Sequence, residues 1–325
     1  MPTILLCQPI HAGGMALLEA RHDVTIRTLF RSSPKELAAS MRGVHAVLIG
    51  SEVADEALLA ASPDLRIVSR HGVGYDTVDV AACTRRGIVV SITAGGNDLS
   101  VAEHTLMLLL AVARRTVEMD AATRAGRWFL RDGRPMGELS GRSVLVVGYG
   151  RIGSRVARLC AAFGMRVMVI DPAFPVPRIA ADGFTPVTDI AAVLPEVDVL
   201  TLHCPLGEDT RQMVNREMLG LMKPSAWLIN TARGPLVDEA ALTEALSSGR
   251  LAAAGLDVLL HEPPDAANPL LKLPNVVLSP HNAATPVECQ EKMAIRAAKN
   301  MLEFFDGVLD PSYAVNPEAL RRRNA

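Results

Sequence analysis

Short apolar runs alternate along this chain with stretches of helical spacing. Before residue 92 the runs are Thr3–Leu6, Val24–Arg27, Ala46–Ile49, Ile67–Arg70 and Ile88–Ser91. Helices are predicted between them at Met15–Ala20, Lys35–Met41 and Ala57–Ala61. A second block repeats the pattern, with strands predicted at Ser143–Val147, Val167–Ile170, Val199–Leu202, Ala226–Asn230, Ala252–Leu256 and Val276–Leu278. Its helices fall at Ile152–Phe163, Ile190–Leu194, Arg216–Leu221 and Glu239–Ser247. Apolar strands without polar alternation, separated by helices, imply parallel sheets covered on both faces.

Between the blocks, residues 93–98 break the pattern. Ser100 and Glu103 then stand at capping-box spacing ahead of a long apolar helix from Val101 to about Met119. Glu103 and His104 are adjacent polar residues entering that helix, but a helix N-terminus accounts for Glu103 without chemistry. After Pro286, Met293, Ala297, Met301 and Phe304 mark one more amphipathic helix, with no strand beyond it. That helix is expected to pack back on an existing domain. The parsing is one α/β domain from residues 1–98 plus 287–325, interrupted by a nucleotide-type α/β domain over residues 99–286.

Composition narrows the function. In 325 residues, 33 Lys and Arg face 35 Asp and Glu, for a formal charge of −2, which lacks the basic footprint of a nucleic-acid or membrane-surface binder. The longest strongly apolar stretch, Leu106–Ala113, is far short of the ~20 residues that cross a bilayer. Met1–Cys7 place no basic segment ahead of an apolar one, so a signal peptide is not expected. Cys7, Cys83, Cys160, Cys204 and Cys289 are scattered without a C-x-x-C pair, arguing against a disulfide framework or a cysteine zinc site. A cytoplasmic enzyme is the expectation. Arg321, Arg322 and Arg323 read as a solvated terminus.

Gly148-Tyr149-Gly150-Arg151-Ile152-Gly153 is a G-x-G-x-x-G string that directly follows an apolar strand and opens a helix, the context a dinucleotide site requires. Gly148 permits the tight turn, Gly150 lets backbone approach a pyrophosphate, and Gly153 lets the helix pack on the strand. Asp171, at the end of the next strand, is spaced to accept hydrogen bonds from both ribose hydroxyls and to repel a 2′-phosphate, which predicts NAD over NADP.

Three further groups follow consecutive strand ends: Arg233, then Asp257 with Glu262, then His281. Carboxyl ends of parallel strands face the ligand crevice. Arg233 would grip a carboxylate and polarise a carbonyl, while His281, as imidazolium favoured by Glu262, would give its proton to a developing alkoxide. Singly, each has an ordinary alternative as a solvated or structural side chain. His203-Cys204 resembles a metal-ligand pair, but no further ligands stand at workable spacing and no metal is expected.

Together these residues resemble the D-isomer-specific 2-hydroxyacid dehydrogenases. The resemblance rests on His71–Asp76, Ser100–Glu103, the Gly148–Gly153 turn with Asp171, Leu202–Leu206, Asn230–Gly234, Gly255–Val258, Glu262-Pro263 and Ser279–His281, and so spans nearly the whole chain. It implies a Rossmann-type doubly wound sheet inserted into a smaller flavodoxin-like α/β domain that binds substrate. Catalytic Arg, Glu and His would be Arg233, Glu262 and His281. Cofactor contacts would come from Gly148 through Gly153, Asp171, His203, Cys204, Pro205, Thr231, Ala232, Arg233, Asp257 and His281. Substrate would meet Ser51, the backbone of Val73 and Gly74, Arg233 and His281. The resemblance implies NAD as cofactor, a small 2-keto or 2-hydroxy acid as substrate, domains that close over a cleft, and a homodimer formed through the nucleotide domain.

The phosphoglycerate dehydrogenase branch looks similar, yet it carries an Arg-Ser pair where this chain has Gly50-Ser51. A phosphate dianion normally needs more than one cation, so hydroxypyruvate or glyoxylate is the favoured substrate. No room is expected for the regulatory domain many of those enzymes carry. The alternatives are a phosphoglycerate dehydrogenase lacking that domain, or an NAD-sensing regulatory protein on the same scaffold. A formate enzyme is disfavoured by Glu262, where that group has glutamine; a phosphite enzyme is harder to exclude.

Overall fold

The computed structural model describes residues 1–321, so of the basic tail only Arg321 falls within it. The chain divides into two compact units, Met1–Asn97 with Thr285–Ala325, and Asp98–Ala284. These boundaries fall one and two residues before the expected ones.

The first unit is a five-stranded sheet: β1 (Thr3–Leu6), β2 (Thr25–Thr28), β3 (Ala46–Ile49), β4 (Ile67–Arg70) and β5 (Val89–Ser91). Every pair is parallel and the order is β2-β1-β3-β4-β5. This is the flavodoxin-like order, with its topological switch point between β1 and β3. β1, β3, β4 and β5 are almost wholly buried because helices cover both faces, which is why their sequences read as unbroken apolar runs. One cover is the returning helix Val287–Asp306, which lays Ala297, Ala298, Met301 and Phe304 against Ile4, Leu6 and Leu18. It crosses the helix Ala12–Glu19 so closely that a Cβ on Gly14 would stand 2.5 Å from the carbonyl oxygen of Ala294. Buried Asn316 then ties the chain beyond it to β5, accepting from Val90 N–H at 2.8 Å and donating to the Ile88 carbonyl at 2.9 Å.

The second unit is a seven-stranded parallel sheet of β6 (Ser143–Val147), β7 (Arg166–Ile170), β8 (Thr185–Pro186), β9 (Val199–Leu202), β10 (Trp227–Asn230), β11 (Ala253–Leu256) and β12 (Val276–Leu278). Its order, β12-β11-β10-β9-β6-β7-β8, is the doubly wound arrangement with one strand added, and the crevice falls where the order reverses, between β6 and β9. Two cores, one on each face, sandwich the sheet.

Two local expectations are corrected, and one strand had left no sign in the sequence. The helix after the break begins at Asp98, so Ser100 and Glu103 lie inside it rather than forming its capping box; Asp98 places its acid in the first turn, where the helix dipole favours it. The helix does not run on to Met119. It ends at Ala113, and a second helix, Thr116–Arg124, starts after Arg115 adopts φ +51° and its guanidinium pairs with Glu118 at 2.6 Å. Lastly β8 is two residues long and ends in proline, too short to leave an apolar run.

Candidate active site

The glycine turn shows what each of its glycines is for. A Cβ on Gly153 would lie 1.9 Å from the Gly148 carbonyl oxygen, so the helix Arg151–Ala162 can approach the turn only without a side chain there. Gly148 has φ +94°, and a Cβ on it would lie 2.6 Å from Cys204 N, which packs the turn against the His203–Pro205 segment. A Cβ on Gly150, by contrast, meets nothing within 4 Å. No side chain caps this helix. Its first N–H groups have no intrahelical acceptor, and the space beside Gly150 is open, which suits an anionic pyrophosphate.

Asp171 follows β7, and its two carboxylate oxygens accept from Tyr149 N–H at 2.7 Å and Ala173 N–H at 2.9 Å. The acid is thereby fixed beside the turn. Tyr149 can serve a cofactor through its backbone alone. Its ring is buried edge-on against Phe174 and Phe184, its hydroxyl donates to Asp182 at 2.8 Å, and burial lifts the phenol to about 12. It braces the turn from inside the core and presents no side chain to a ligand.

In the neighbouring segment, burial holds the His203 imidazole neutral, down to about 3, with Nε2 2.9 Å from Thr201 Oγ1. Burial pushes the Cys204 thiol up to about 11, and its sulfur lies 3.7 Å from Met213 Sδ. Neutral thiols are poor metal ligands, and among the described residues no group of His, Cys, Asp or Glu is placed to hold a metal ion.

Arg233 is carried past the end of β10 by a loop that Asn230 shapes. Buried Asn230 accepts from Ala232 N–H at 3.0 Å and donates to the Arg233 carbonyl at 2.8 Å, and the Arg233 guanidinium returns to the Ala232 carbonyl at 2.7 Å. Thr105 spends its proton on the Val101 carbonyl, so Thr231, 2.8 Å away, donates to Thr105. Its hydroxyl proton is thus directed at the helix Asp98–Ala113.

His281 and Glu262 meet as expected, Nδ1 lying 2.5 Å from Oε2. Glu262's second oxygen accepts from Leu259 N–H at 3.0 Å. Burial opposes the charge on Glu262, but the hydrogen bond from His281 and the nearby Arg233 keep its carboxyl below the usual carboxylate range. His281 has φ +50°, a left-handed conformation uncommon for a residue with a side chain. Its N–H is pinned to the Asp257 carbonyl at 2.8 Å. Beside the pair opens a largely apolar cavity of ≈ 430 Å³ bounded by Leu259, Pro264, Leu271 and Leu278.

Asp257 is held by a dense set of internal donors. The residue is buried, and its carboxylate receives Ser279 Oγ at 2.6 Å, Asn282 N–H at 3.0 Å and Ala283 N–H at 3.1 Å, with His104 Nε2 3.2 Å away. Burial would raise its carboxyl, yet these donors outweigh it and hold the group down to about 2. Asp257 is the post around which residues 279–283 wind.

In the first unit, Ser51 is exposed, and Val73 and Gly74 follow β4 with N–H groups that donate to no described residue. Gly72 enters that loop at φ +146°, a backbone only glycine adopts readily. At the switch point, a Cβ on Gly50 would lie 1.8 Å from Gln8 Oε1, while Gly50 N–H donates to Glu52 at 2.6 Å.

Residues 106–283 match the family described as D-isomer specific 2-hydroxyacid dehydrogenase, NAD binding domain. The chain belongs to that family of oxidoreductases. It is 38% identical to a glyoxylate reductase of Aeropyrum pernix over 99% of this chain and 98% of the relative. It is 36% identical to a D-3-phosphoglycerate dehydrogenase of Archaeoglobus fulgidus, covering 94% of this chain but 58% of that protein. Among solved structures, the NADPH-dependent glyoxylate/hydroxypyruvate reductase of Sinorhizobium meliloti, in complex with NADP and malonate, superposes with a TM-score of 0.82 at 33% identity, over 94% of this chain and 93% of that one. Family membership makes the cofactor a nicotinamide dinucleotide, which the open cradle above Gly150 fits.

Proposed function

We propose that the protein reduces a small unphosphorylated 2-keto acid, of the glyoxylate or hydroxypyruvate kind, to its D-2-hydroxy acid with NADH. The observation that carries this reading is the 2.5 Å pair of His281 and Glu262, in a unit whose Arg233 lies close enough to act on the same carboxylate. The nicotinamide, when bound, supplies the hydride. Arg233 orients the substrate through its carboxylate and draws electron density from the carbonyl. Glu262 is an acceptor only, so the His281 Nδ1 proton points at it and the Nε2 proton of the imidazolium is the one passed to the alkoxide. In the reverse direction the same Nε2 takes the hydroxyl proton. The N–H groups of Val73 and Gly74, with Ser51, are the proposed further donors to the substrate.

Residues 148–153, Asp171, the 203–205 segment and Ala232 are proposed to hold the cofactor. NAD is preferred in this reading because Asp171, fixed by two backbone donors, would repel a 2′-phosphate. The Sinorhizobium relative's use of NADPH makes this a point to test. Gly50 and Gln8 favour an unphosphorylated substrate: a neutral amide fills the space of a side chain at position 50, beside the carboxylate of Glu52. A homodimer is proposed through the second unit, where Val117, Trp128 and Phe129 are strongly exposed. Five free cysteines fit a cytoplasmic setting, and among the described residues no helix is long and apolar enough to cross a membrane.

The deciding experiment is oxidation of NADH, and separately NADPH, by the purified protein with glyoxylate, hydroxypyruvate, pyruvate or phosphohydroxypyruvate, with His281→Ala as control. Turnover on glyoxylate or hydroxypyruvate that disappears in the variant supports the reading. Preferential turnover of phosphohydroxypyruvate, or none with any of the four despite NADH binding, overturns it.

A further inference from the structure

His104 lies on the helix Asp98–Ala113 with its imidazole turned inward, 15% exposed, while its neighbour Glu103 is exposed. Its Nε2 is 2.8 Å from Ser279 Oγ and 3.2 Å from Asp257 Oδ1. The direction of these bonds can be deduced. Ser279 has one hydroxyl proton, and at 2.6 Å from Asp257 Oδ1 that proton is committed to the carboxylate. Asp257, held at about 2, is ionised and can only accept. Nε2 of His104 therefore carries a proton and shares it between Ser279 Oγ and Asp257 Oδ1.

The consequence reaches the catalytic histidine. Asp257 gathers Ser279, Asn282 and Ala283 through its carboxylate and His281 through its carbonyl. His281 needs such an anchor because it sits at φ +50°, from which an unrestrained chain relaxes. With His104 removed, the Ser279 hydroxyl and one carboxylate oxygen each lose a donor in a site where Asp257 has almost no access to water.

We propose that His104 is a positioning residue for the reaction, acting through Ser279 and Asp257 to fix the direction in which His281 meets Glu262. It touches neither substrate nor cofactor. The role rests on the reading of His281 as the proton donor, but it makes a demand on the protein alone that can be measured without turnover. A 2.5 Å imidazole–carboxylate hydrogen bond holds its proton in a strongly deshielded position, so the His281 Nδ1 proton should give a low-field signal in the NMR spectrum. Its assignment is confirmed by its loss in Glu262→Gln.

The test compares the wild type with His104→Ala and His104→Gln; the glutamine amide can reach the same place and donate one proton. In His104→Ala the low-field signal is expected to broaden away and kcat to fall roughly 10-fold or more, with KM for NADH changed less than about 2-fold. In His104→Gln the signal returns, with most of kcat. Ser279→Ala, which keeps His104, is expected to show an intermediate loss. Should His104→Ala fail to fold, the glutamine and serine variants carry the comparison. Retention of the low-field signal and kcat in His104→Ala overturns the proposal, as does equal damage in His104→Gln. If the wild type turns over none of the keto acids yet the signal follows this pattern, the proposed reaction has failed and the positioning role stands.

Discussion

A Cβ on Gly234 would stand 2.0 Å from the carbonyl oxygen of Leu259. That single close crossing ties the loop bearing Arg233 to the loop bearing Glu262, whose own oxygen accepts from Leu259 N–H. The relative placement of guanidinium and carboxylate thus depends on a missing side chain. Gly234→Ala should force the backbones apart, with about 1–3 kcal/mol of lost stability, the usual scale for overpacking. Turnover should fall out of proportion to it. Urea denaturation together with NADH-linked kinetics checks this; unchanged kcat at wild-type stability would show that the loops adjust independently.

Gly150 and Gly153 make a contrasting pair. A methyl on Gly153 has nowhere to go, whereas one on Gly150 projects into the space where phosphate oxygens would lie. Gly153→Ala is expected to be the destabilised protein. Gly150→Ala should melt like the wild type and bind NADH at least ~10-fold more weakly, through steric loss at the helix N-terminus. Calorimetric titration and thermal melting of both separate the two roles. Equal NADH affinity in Gly150→Ala would remove that glycine from the cofactor cradle.

Much of this was legible along the chain because buried parallel strands leave uninterrupted apolar runs: β1, β3, β4, β6, β9 and β12 fall at the predicted residues. β8 left no such run. The hinge at Arg115 follows from an ion pair with Glu118 that no periodicity encodes. The groups that would do chemistry stood out at strand ends, and the structure brings Glu262 and His281 into contact as their spacing suggested. The parts that aim them did not stand out. Asn230 looks like the last residue of a strand, and Gly234 like a turn. His104 looks like a helix residue until the fold sets it against Ser279, 175 positions away. Nor does the place of Tyr149 inside the glycine motif say which way its ring turns.

The Glu262–His281 contact has a pH signature. Glu262 is held below the usual carboxylate range, so it stays charged through neutral and mildly acid solution and faces His281 Nδ1 as a negative partner. In the proposed reaction, reduction consumes the His281 proton, so its rate should fall as pH rises. Glu262→Gln removes the negative partner, and the fall should begin at lower pH; for oxidation of the hydroxy acid, which needs the free base, activity should persist to lower pH. Matching profiles of log kcat/KM for the two proteins would dismiss Glu262 from this role.

Acid stability should report on Asp257. Its folded carboxyl, at about 2, is depressed from an ordinary value near 3.8. A depressed acid contributes stability that is complete above the unfolded value and lost as pH falls through the folded one. Between about pH 4 and pH 2 the wild type should therefore lose about 2 kcal/mol that Asp257→Asn does not lose, the variant being weaker at neutral pH from the start. Denaturant midpoints across that range read the difference. Parallel curves would mean that the buried hydrogen bonds to Asp257 survive its protonation.

In the proposed reading, substrate choice turns on the first unit's switch point, where Gln8 follows β1 beside Gly50. The amide and Glu52 offer hydrogen bonds but no positive charge, which suits a hydrogen or a hydroxymethyl group next to the keto acid and not a phosphate. Gln8→Arg adds a positive charge to that corner without placing a side chain at position 50. The ratio of kcat/KM for phosphohydroxypyruvate to that for hydroxypyruvate should rise by roughly 10-fold or more, since a charge-assisted hydrogen bond contributes about 1.5–3 kcal/mol. Raised salt should erode the gain by screening it. A ratio that stays at the wild-type value would mean that the substrate's far end lies away from Gln8, and that discrimination against phosphate arises elsewhere.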